Sequence, residues 1–221
     1  MKNLSLTYKK LFTDKQFVLS VVFGFLLLFV SLVVNFYAGT FANEHASNAV
    51  TDLVLDNIPV FNVDAIFVYG PFFVWIIVTV LGLKSPQKIP FILKSIALFV
   101  FIRSGFITLT HIGPFPDQIQ INDPWEVINH FNFGGDLFFS AHTGLPFLMA
   151  LVFGYNKDIR AFFTLCAVFF GAIVLMAHLH YTIDVLSAFF ITYTIYHIAI
   201  VLFHADYLRF NDPQQVFHSQ I

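Results

Sequence analysis

The chain has 221 residues, of which 58% are hydrophobic, 19% aromatic and only 11% charged, with a mean hydropathy of +0.79. A soluble domain carries about 25% charged residues, so the composition excludes a water-soluble globular protein and points to a polytopic membrane protein. The single cysteine, Cys166, excludes an intramolecular disulfide, no nucleic-acid-binding signature is present, and the net charge of -2 becomes informative only once it is split by face.

Six apolar segments of spanning length follow one another, at about 16–38, 64–83, 90–110, 137–154, 160–178 and 182–204. The expected fold is therefore all-α, a single six-helix transmembrane domain over 1–221. The first segment follows lysines, as a secretory signal does, but its apolar core is too long and no small-residue cleavage site follows. It is read as a retained helix. Short connections, "KSPQKI" and "YNKDIR", link helices on one face. A loop over 39–63 and a Pro- and Asn-rich loop over 111–136 lie on the other, and the link around "HLHY" is tight.

Charge sorts by face. Lys2, Lys9, Lys10, Lys15, Lys84, Lys88, Lys157, Arg160 and Arg209 fall on the face of the short connections, which leaves only Lys94 and Arg103 of the eleven basic residues inside a helix. The other face carries Glu44, Asp52, Asp56, Asp64, Asp117, Asp123, Glu126, Asp136 and Asp184. The positive-inside rule then puts both termini in the cytoplasm.

In that orientation the third helix ends, the fourth begins, the fifth ends and the sixth begins at one outer rim. Arg103, His142, His178, His180 and Asp184 can converge there. His142 is expected roughly 7–8 Å along its helix from Leu137. Asp184 follows His180 by four residues and shares its helical face if the helix includes His180. An ionisable residue at the centre of a span costs roughly 2.5–3.5 kcal/mol and less near the rim, so a cluster at one level indicates a wet polar site.

Two histidines, an aspartate and an arginine suit phosphoryl chemistry. An imidazole can attack phosphorus and form a phosphohistidine, and an aspartate can hold its tautomer and stabilise its charge. A second histidine can protonate the leaving alkoxide and then deprotonate the acceptor. An arginine can neutralise phosphoryl oxygens. No metal or other cofactor is called for: His178 and His180 point to different faces, and no Cys-based or His-Glu-x-x-His zinc pattern occurs.

"GDLFFSAHTG" (135–144) and "AHLHYTIDVLSAFFITY" (177–193) resemble the two signature segments of sphingomyelin synthases and their relatives in the type 2 phosphatidic acid phosphatase, or lipid phosphate phosphatase, superfamily. The resemblance runs from Arg103 to Tyr193. It implies a helical bundle of that superfamily's type, with His180 as nucleophile, Asp184 as its orienting partner and His142 as acid and base. It also implies an outward-facing site and carries over Arg103, which leads "RSGFITLTHIGPFP", as a phosphate ligand. The wider superfamily has Ser-Gly-His where this chain has Ser140-Ala141-His142, and an arginine where this chain has Val174. The missing arginine points to the sphingomyelin-synthase-like branch.

Asp136, Ser140 and Tyr181 complete the expected substrate-contacting set, although Asp136 can equally cap the fourth helix or support the histidines. Arg103 can equally be the structural partner of an acidic residue. His178 reads as a rim histidine, His111 and His130 as outer-loop residues, and His197, His204 and His218 as inner interfacial ones. Lys94 is expected to snorkel to the inner interface, Pro146 to kink the fourth helix, and Glu126 to support the site from outside.

The expected activity is transfer of a phospho-head group or phosphate from a phospholipid to a lipid hydroxyl of the ceramide or diacylglycerol class. Water as acceptor would make the chain a lipid phosphate phosphatase, and a transporter or scramblase is the non-enzymatic alternative. The expected location is a membrane with the site on the periplasmic or lumenal side, a bacterial inner membrane being the reading that fits best.

Overall fold

The computed structural model describes residues 2–119 and 135–211, and among them every regular element is helical. The elements are α1 (Lys2–Thr13), α2 (Lys15–Glu44), α3 (Asp64–Lys84), α4 (Ile89–Leu109), α5 (Ala141–Val152), α6 (Lys157–Met176), α7 (Thr182–Leu202) and α8 (His204–Asn211). Single 3₁₀ turns, Leu55–Asn57 and Pro86–Lys88, precede α3 and α4. The fold is that of a helical membrane protein: five helices, α2, α3, α4 (with its leading turn), α6 and α7, are long and apolar enough to cross a bilayer.

The first expected span runs further than the sequence indicates. The α2 helix continues through "GTFANE" to Glu44, because nothing in that stretch breaks it. At its start the Asp14 side chain accepts the Gln16 amide at 2.9 Å, a helix cap. Ahead of it lies α1, an amphipathic helix that exposes Leu4 and Leu6 and buries Leu11 against Phe17 and Val21.

The fourth expected span is shorter than 137–154. The α5 helix has only 12 residues, about 18 Å of rise against roughly 30 Å of hydrocarbon. Residues 135–140 are not helical. Irregular backbone at membrane depth persists only where protein satisfies its polar groups, and Arg103 of α4 does so here. Its Nε donates to the Phe139 carbonyl at 2.8 Å and its Nη2 to the Asp136 carbonyl at 2.7 Å.

The core joins α4, α5, α6 and α7 through Phe91, Phe99, Phe139, Leu148, Met149 and Phe163, all fully or almost fully buried. Gly144 permits the closest approach. A Cβ there would sit 2.7 Å from the Phe99 ring and 2.9 Å from Thr192 Oγ1, so glycine lets α4 and α7 press against α5 near its start. The α2 helix packs along α4, whereas α3 touches its neighbours sparsely.

The two ends of the bundle are chemically distinct. At one end, Lys88 of the α3–α4 connection contacts the Tyr155 hydroxyl of the α5–α6 connection and lies 4.6 Å from the Phe210 ring centroid. Arg209 of α8 pairs with Asp14 at 3.3 Å, and Tyr8 of α1 donates to Leu83 O at 2.9 Å. The α1 and α8 helices therefore lie at the end of the short connections. Lys94 does not snorkel to the interface. It is buried, with Nζ 2.6 Å from Asp206 Oδ2 and 2.7 Å from Ser20 Oγ, because α8 folds back far enough to bring a carboxylate to it.

Candidate active site

At the opposite end, two helix ends and one tight turn build the site. The α6 helix closes with a Schellman motif: the His178 amide donates to Leu175 O at 3.0 Å and the Leu179 amide to Val174 O at 2.9 Å. His178 takes the left-handed position, with φ 55°, where glycine is usual and histidine is among the better-tolerated alternatives. Leu179 and Val174 are buried in one cluster, the hydrophobic contact of that motif. His178 is 3% exposed and meets the Phe115 ring edge-on at 5.0 Å. Its place is that of a turn residue.

His180 follows at once, and Tyr181 caps α7. The Asp184 carboxylate accepts the Tyr181 amide at 2.9 Å, and the Asp184 amide donates to the Tyr181 carbonyl at 3.0 Å, closing the first turn of α7. The same Oδ2 lies 3.5 Å from His180 Nδ1. The helix does not include His180, so the pair meets through this cap turn and not along a helical face. A separation of 3.5 Å is longer than a good hydrogen bond, and such contacts commonly tighten when a catalytic complex forms. Asp184 is wholly buried, and its other oxygen has no partner among the described residues.

The second signature segment is tied to the first. The Ser140 amide donates to the Asp184 carbonyl at 3.1 Å, which sets the start of α5 against the first turn of α7. Because α5 begins only at Ala141, His142 stands in its first turn and not 7–8 Å along the helix. Its ring stacks on Phe67 of α3 at 4.1 Å and meets Phe170 of α6 at 6.4 Å. It lies within electrostatic range of His180 and Arg103, and Asp136 lies within range of Arg103, His180 and Asp184. One cluster therefore holds all five.

The remaining expected contacts have structural partners. Ser140 is fully buried, and its Oγ faces the Thr143 amide at 3.4 Å and Thr143 Oγ1 at 3.3 Å, capping α5. Tyr181 is 2% exposed. Its hydroxyl donates to Gly113 O at 2.9 Å and accepts the Val50 amide at 3.2 Å. Arg103 pairs with Asp136 at 3.1 Å in addition to its two carbonyl bonds, which occupies three of its five N–H donors. Glu126, His130, Asp123 and His218 lie outside the described residues.

Residues 134–201 match the family model described as PAP2 superfamily C-terminal. The match covers 68 of the 221 residues (134 through 201) and takes in His142, His180 and Asp184. It supports membership of the PAP2 superfamily, whose members are broadly phosphatases and phosphotransferases acting on lipids. No curated protein and no solved structure matches the chain. Among the described residues no group of three or more His, Cys, Asp or Glu side chains is arranged to hold a metal ion.

One element of the site was not expected from the sequence. Asp52, in the loop between α2 and α3, accepts the Thr182 amide and the Thr182 hydroxyl, each at 2.7 Å. With Tyr181 it latches the loops over 45–63 and 110–119 onto the turn that carries His180. Only a short-range signal marked it: Asp52 also accepts the Val54 and Leu55 amides, the local turn an aspartate favours.

Burial would raise the Asp52 pKa, but the bonds from Thr182, Leu55 and Val54 outweigh it and hold the carboxyl below its ordinary value. A lowered folded-state pKa contributes stability that is present above the unfolded value, about 3.9, and is lost as pH falls through the folded one. Asp52→Asn is therefore expected to lower stability by about 1 kcal/mol at pH 7, the scale of a lost cap. Thermal unfolding of the purified protein at pH 7 and below pH 4 reads this, with the gap to wild type narrowing in acid. A gap that is constant across that range would rule the latch out as an ionised contact.

Proposed function

We propose that the chain is a membrane-embedded phosphotransferase that moves a phospho-head group or phosphate from a phospholipid through a phosphohistidine on His180. The observation that carries this reading is the His180–Asp184 pair held beside His142 by the Ser140–Asp184 backbone bond, within the PAP2 segment. Nδ1 of His180 faces the carboxylate, which leaves Nε2 as the atom for phosphorus.

In the first half-reaction His180 Nε2 forms a bond to phosphorus as the bond to the leaving oxygen breaks, and His142 gives that oxygen a proton. Asp184 holds the tautomer and balances the imidazolium. In the second, the acceptor hydroxyl returns a proton to His142, its oxygen attacks phosphorus, and the bond to His180 breaks. The positive end of the α5 dipole lies at His142, where it favours phosphoryl charge. Asp136 holds Arg103, which contributes positive charge to the cluster. Ser140 caps the helix that bears His142, and Tyr181 anchors the turn that bears His180.

The acceptor we favour is a lipid hydroxyl, of the ceramide or diacylglycerol class, because "SAHTG" paired with "HYTIDV" and the absent arginine at Val174 resemble the sphingomyelin-synthase-like branch. Water is the second reading, supported by the superfamily match. We place both termini in the cytoplasm and the site on the periplasmic or lumenal face, which the charge asymmetry supports.

The test supplies the purified protein, in sealed vesicles of known orientation, with labelled ceramide or diacylglycerol and phosphatidylcholine, phosphatidylethanolamine or phosphatidic acid. Mass spectrometry should find the head group on the lipid acceptor, made from a membrane-impermeant short-chain donor only on the side of the 39–63 loop. A free phospho-head group from phosphatidylcholine or phosphatidylethanolamine, or free phosphate from phosphatidic acid, with none on the lipid acceptor, would favour water. No product from any donor would refute the enzymatic reading.

A further inference from the structure

Two apolar cavities meet beneath His142. The upper, of about 210 Å³, is lined by residues that include Pro71, Val74 and Met149, with His142 as its ionisable side chain. The lower, of about 500 Å³, lies among α2, α3, α4 and α5, is lined by residues that include Leu28, Val78, Gly82 and Ile92, and has no ionisable group in its wall. Trp75 and Leu145 belong to both linings.

The chemistry of the walls narrows the occupant. A head group or an ion would lose its hydration in the lower cavity and find no charge to replace it. Water would find few of the polar partners it needs. The lower cavity's mouth is formed by Phe25, Leu32 and Leu83, which are 56%, 53% and 53% exposed on helices of spanning length. It therefore opens toward lipid hydrocarbon. The sparse packing of α3 leaves this side of the bundle accessible.

The slot is also long. From Pro71, which lines the upper chamber with His142, to Leu83, beside Lys84 at the end of the short connections, is twelve residues of helix, about 18 Å. A chain entering at the site end would run down this length toward the opposite end of the bundle.

We propose that this two-chamber slot binds one hydrocarbon chain of the membrane lipid whose phosphate reaches His142 and His180, with Trp75 and Leu145 at the joint. The inference rests on the functional reading above for the phosphate end, but the chain site itself can be tested without turnover. Its consequence is selection for lipids with a long chain, because each methylene seated in the lower chamber adds binding free energy.

The test uses the full chain in lipid nanodiscs with a phosphatidylcholine that carries a photoreactive diazirine near the end of one acyl chain. After irradiation and digestion, mass spectrometry should place adducts on Trp75, Val78 and Leu145. Gly82→Leu should fill the lower chamber with little strain, since a Cβ at Gly82 meets only Ile89 at 3.7 Å. It should cut those adducts, and kcat/KM for long-chain relative to short-chain donors, by roughly tenfold for about two methylenes excluded. Adducts confined to the lipid-facing Phe72, Phe73 and Ile76, or adducts that Gly82→Leu leaves unchanged, would overturn the proposal. Adducts in the slot without turnover of any donor would leave the chain site standing and remove the enzymatic reading. Turnover without slot adducts would do the reverse.

Discussion

His180→Ala is expected to abolish the covalent intermediate and all turnover, whereas His142→Ala keeps the intermediate from an activated donor. Both histidines sit in the same cluster, but only His180 has an aspartate at ion-pair distance, 3.5 Å from Nδ1. Asp184 is held there by the Tyr181 amide it accepts and by burial, so it can fix the tautomer and stabilise the imidazolium. Asp184→Asn should then cut turnover by up to about 10⁴-fold with the fold intact. His142 has aromatic neighbours, Phe67 and Phe170, and suits proton transfer to an oxygen above it.

Loss of general acid help costs about 10²–10⁴-fold, and it should weigh most on donors with a poor alkoxide leaving group. A nitrophenolate leaving group needs little protonation. His142→Ala should therefore still form phospho-His180 from such a donor, read as an acid-labile, base-stable adduct in an intact-protein mass spectrum. Labelling of His180→Ala, with none on His142→Ala, would reverse the two roles.

Asp206→Leu is expected to destabilise the protein by about 3–5 kcal/mol, the cost of a buried ion left without its partner. Lys94 and Asp206 are 2.6 Å apart with side chains each 8% exposed, and Ser20 donates to Asp206 Oδ1 at 2.6 Å. Removing the carboxylate strands the ammonium among Phe23 and Phe203. The double variant Lys94→Met/Asp206→Leu should recover most of the loss, since apolar replacements of similar volume are often neutral or better. Thermal unfolding in detergent reads all three proteins. A double variant no more stable than Asp206→Leu alone would show that α8 docks for some other reason.

Much of this organisation is written locally in the chain. Spanning helices are legible because each needs about twenty apolar residues in a row. The boundaries at Asp64 and near Leu109 fall close to where the sequence places them. Expectation fails at the fourth span, because hydropathy sees "LFFSAHTG" as apolar and cannot see Arg103 satisfying the carbonyls of Asp136 and Phe139. It fails again at Lys94, since a partner 112 residues away leaves no periodic trace.

The candidate site divides in the same way. The spacing of His180 and Asp184 is visible in sequence, but a spacing of four suggests a helical face. The chain instead uses a Schellman closure, a turn at His178 and the bond from the Tyr181 amide to Asp184 to bring the pair together. Arg103, Ser140 and Tyr181 are polar residues at the right depth. Sequence cannot say whether such groups face a ligand or their own backbone, and here their described partners are protein atoms.

Composition and local spacing, by themselves, determined that this is a helical membrane protein with a polar cluster at one end, because the bilayer imposes its length and polarity on each segment separately. Only the tertiary structure decided which polar groups share a site and which support it. It also joined two apolar cavities at Trp75 and latched Asp52 onto the His180 turn. Those outcomes depend on which helices pack together and which loops close over them, a long-range property that no window of sequence contains.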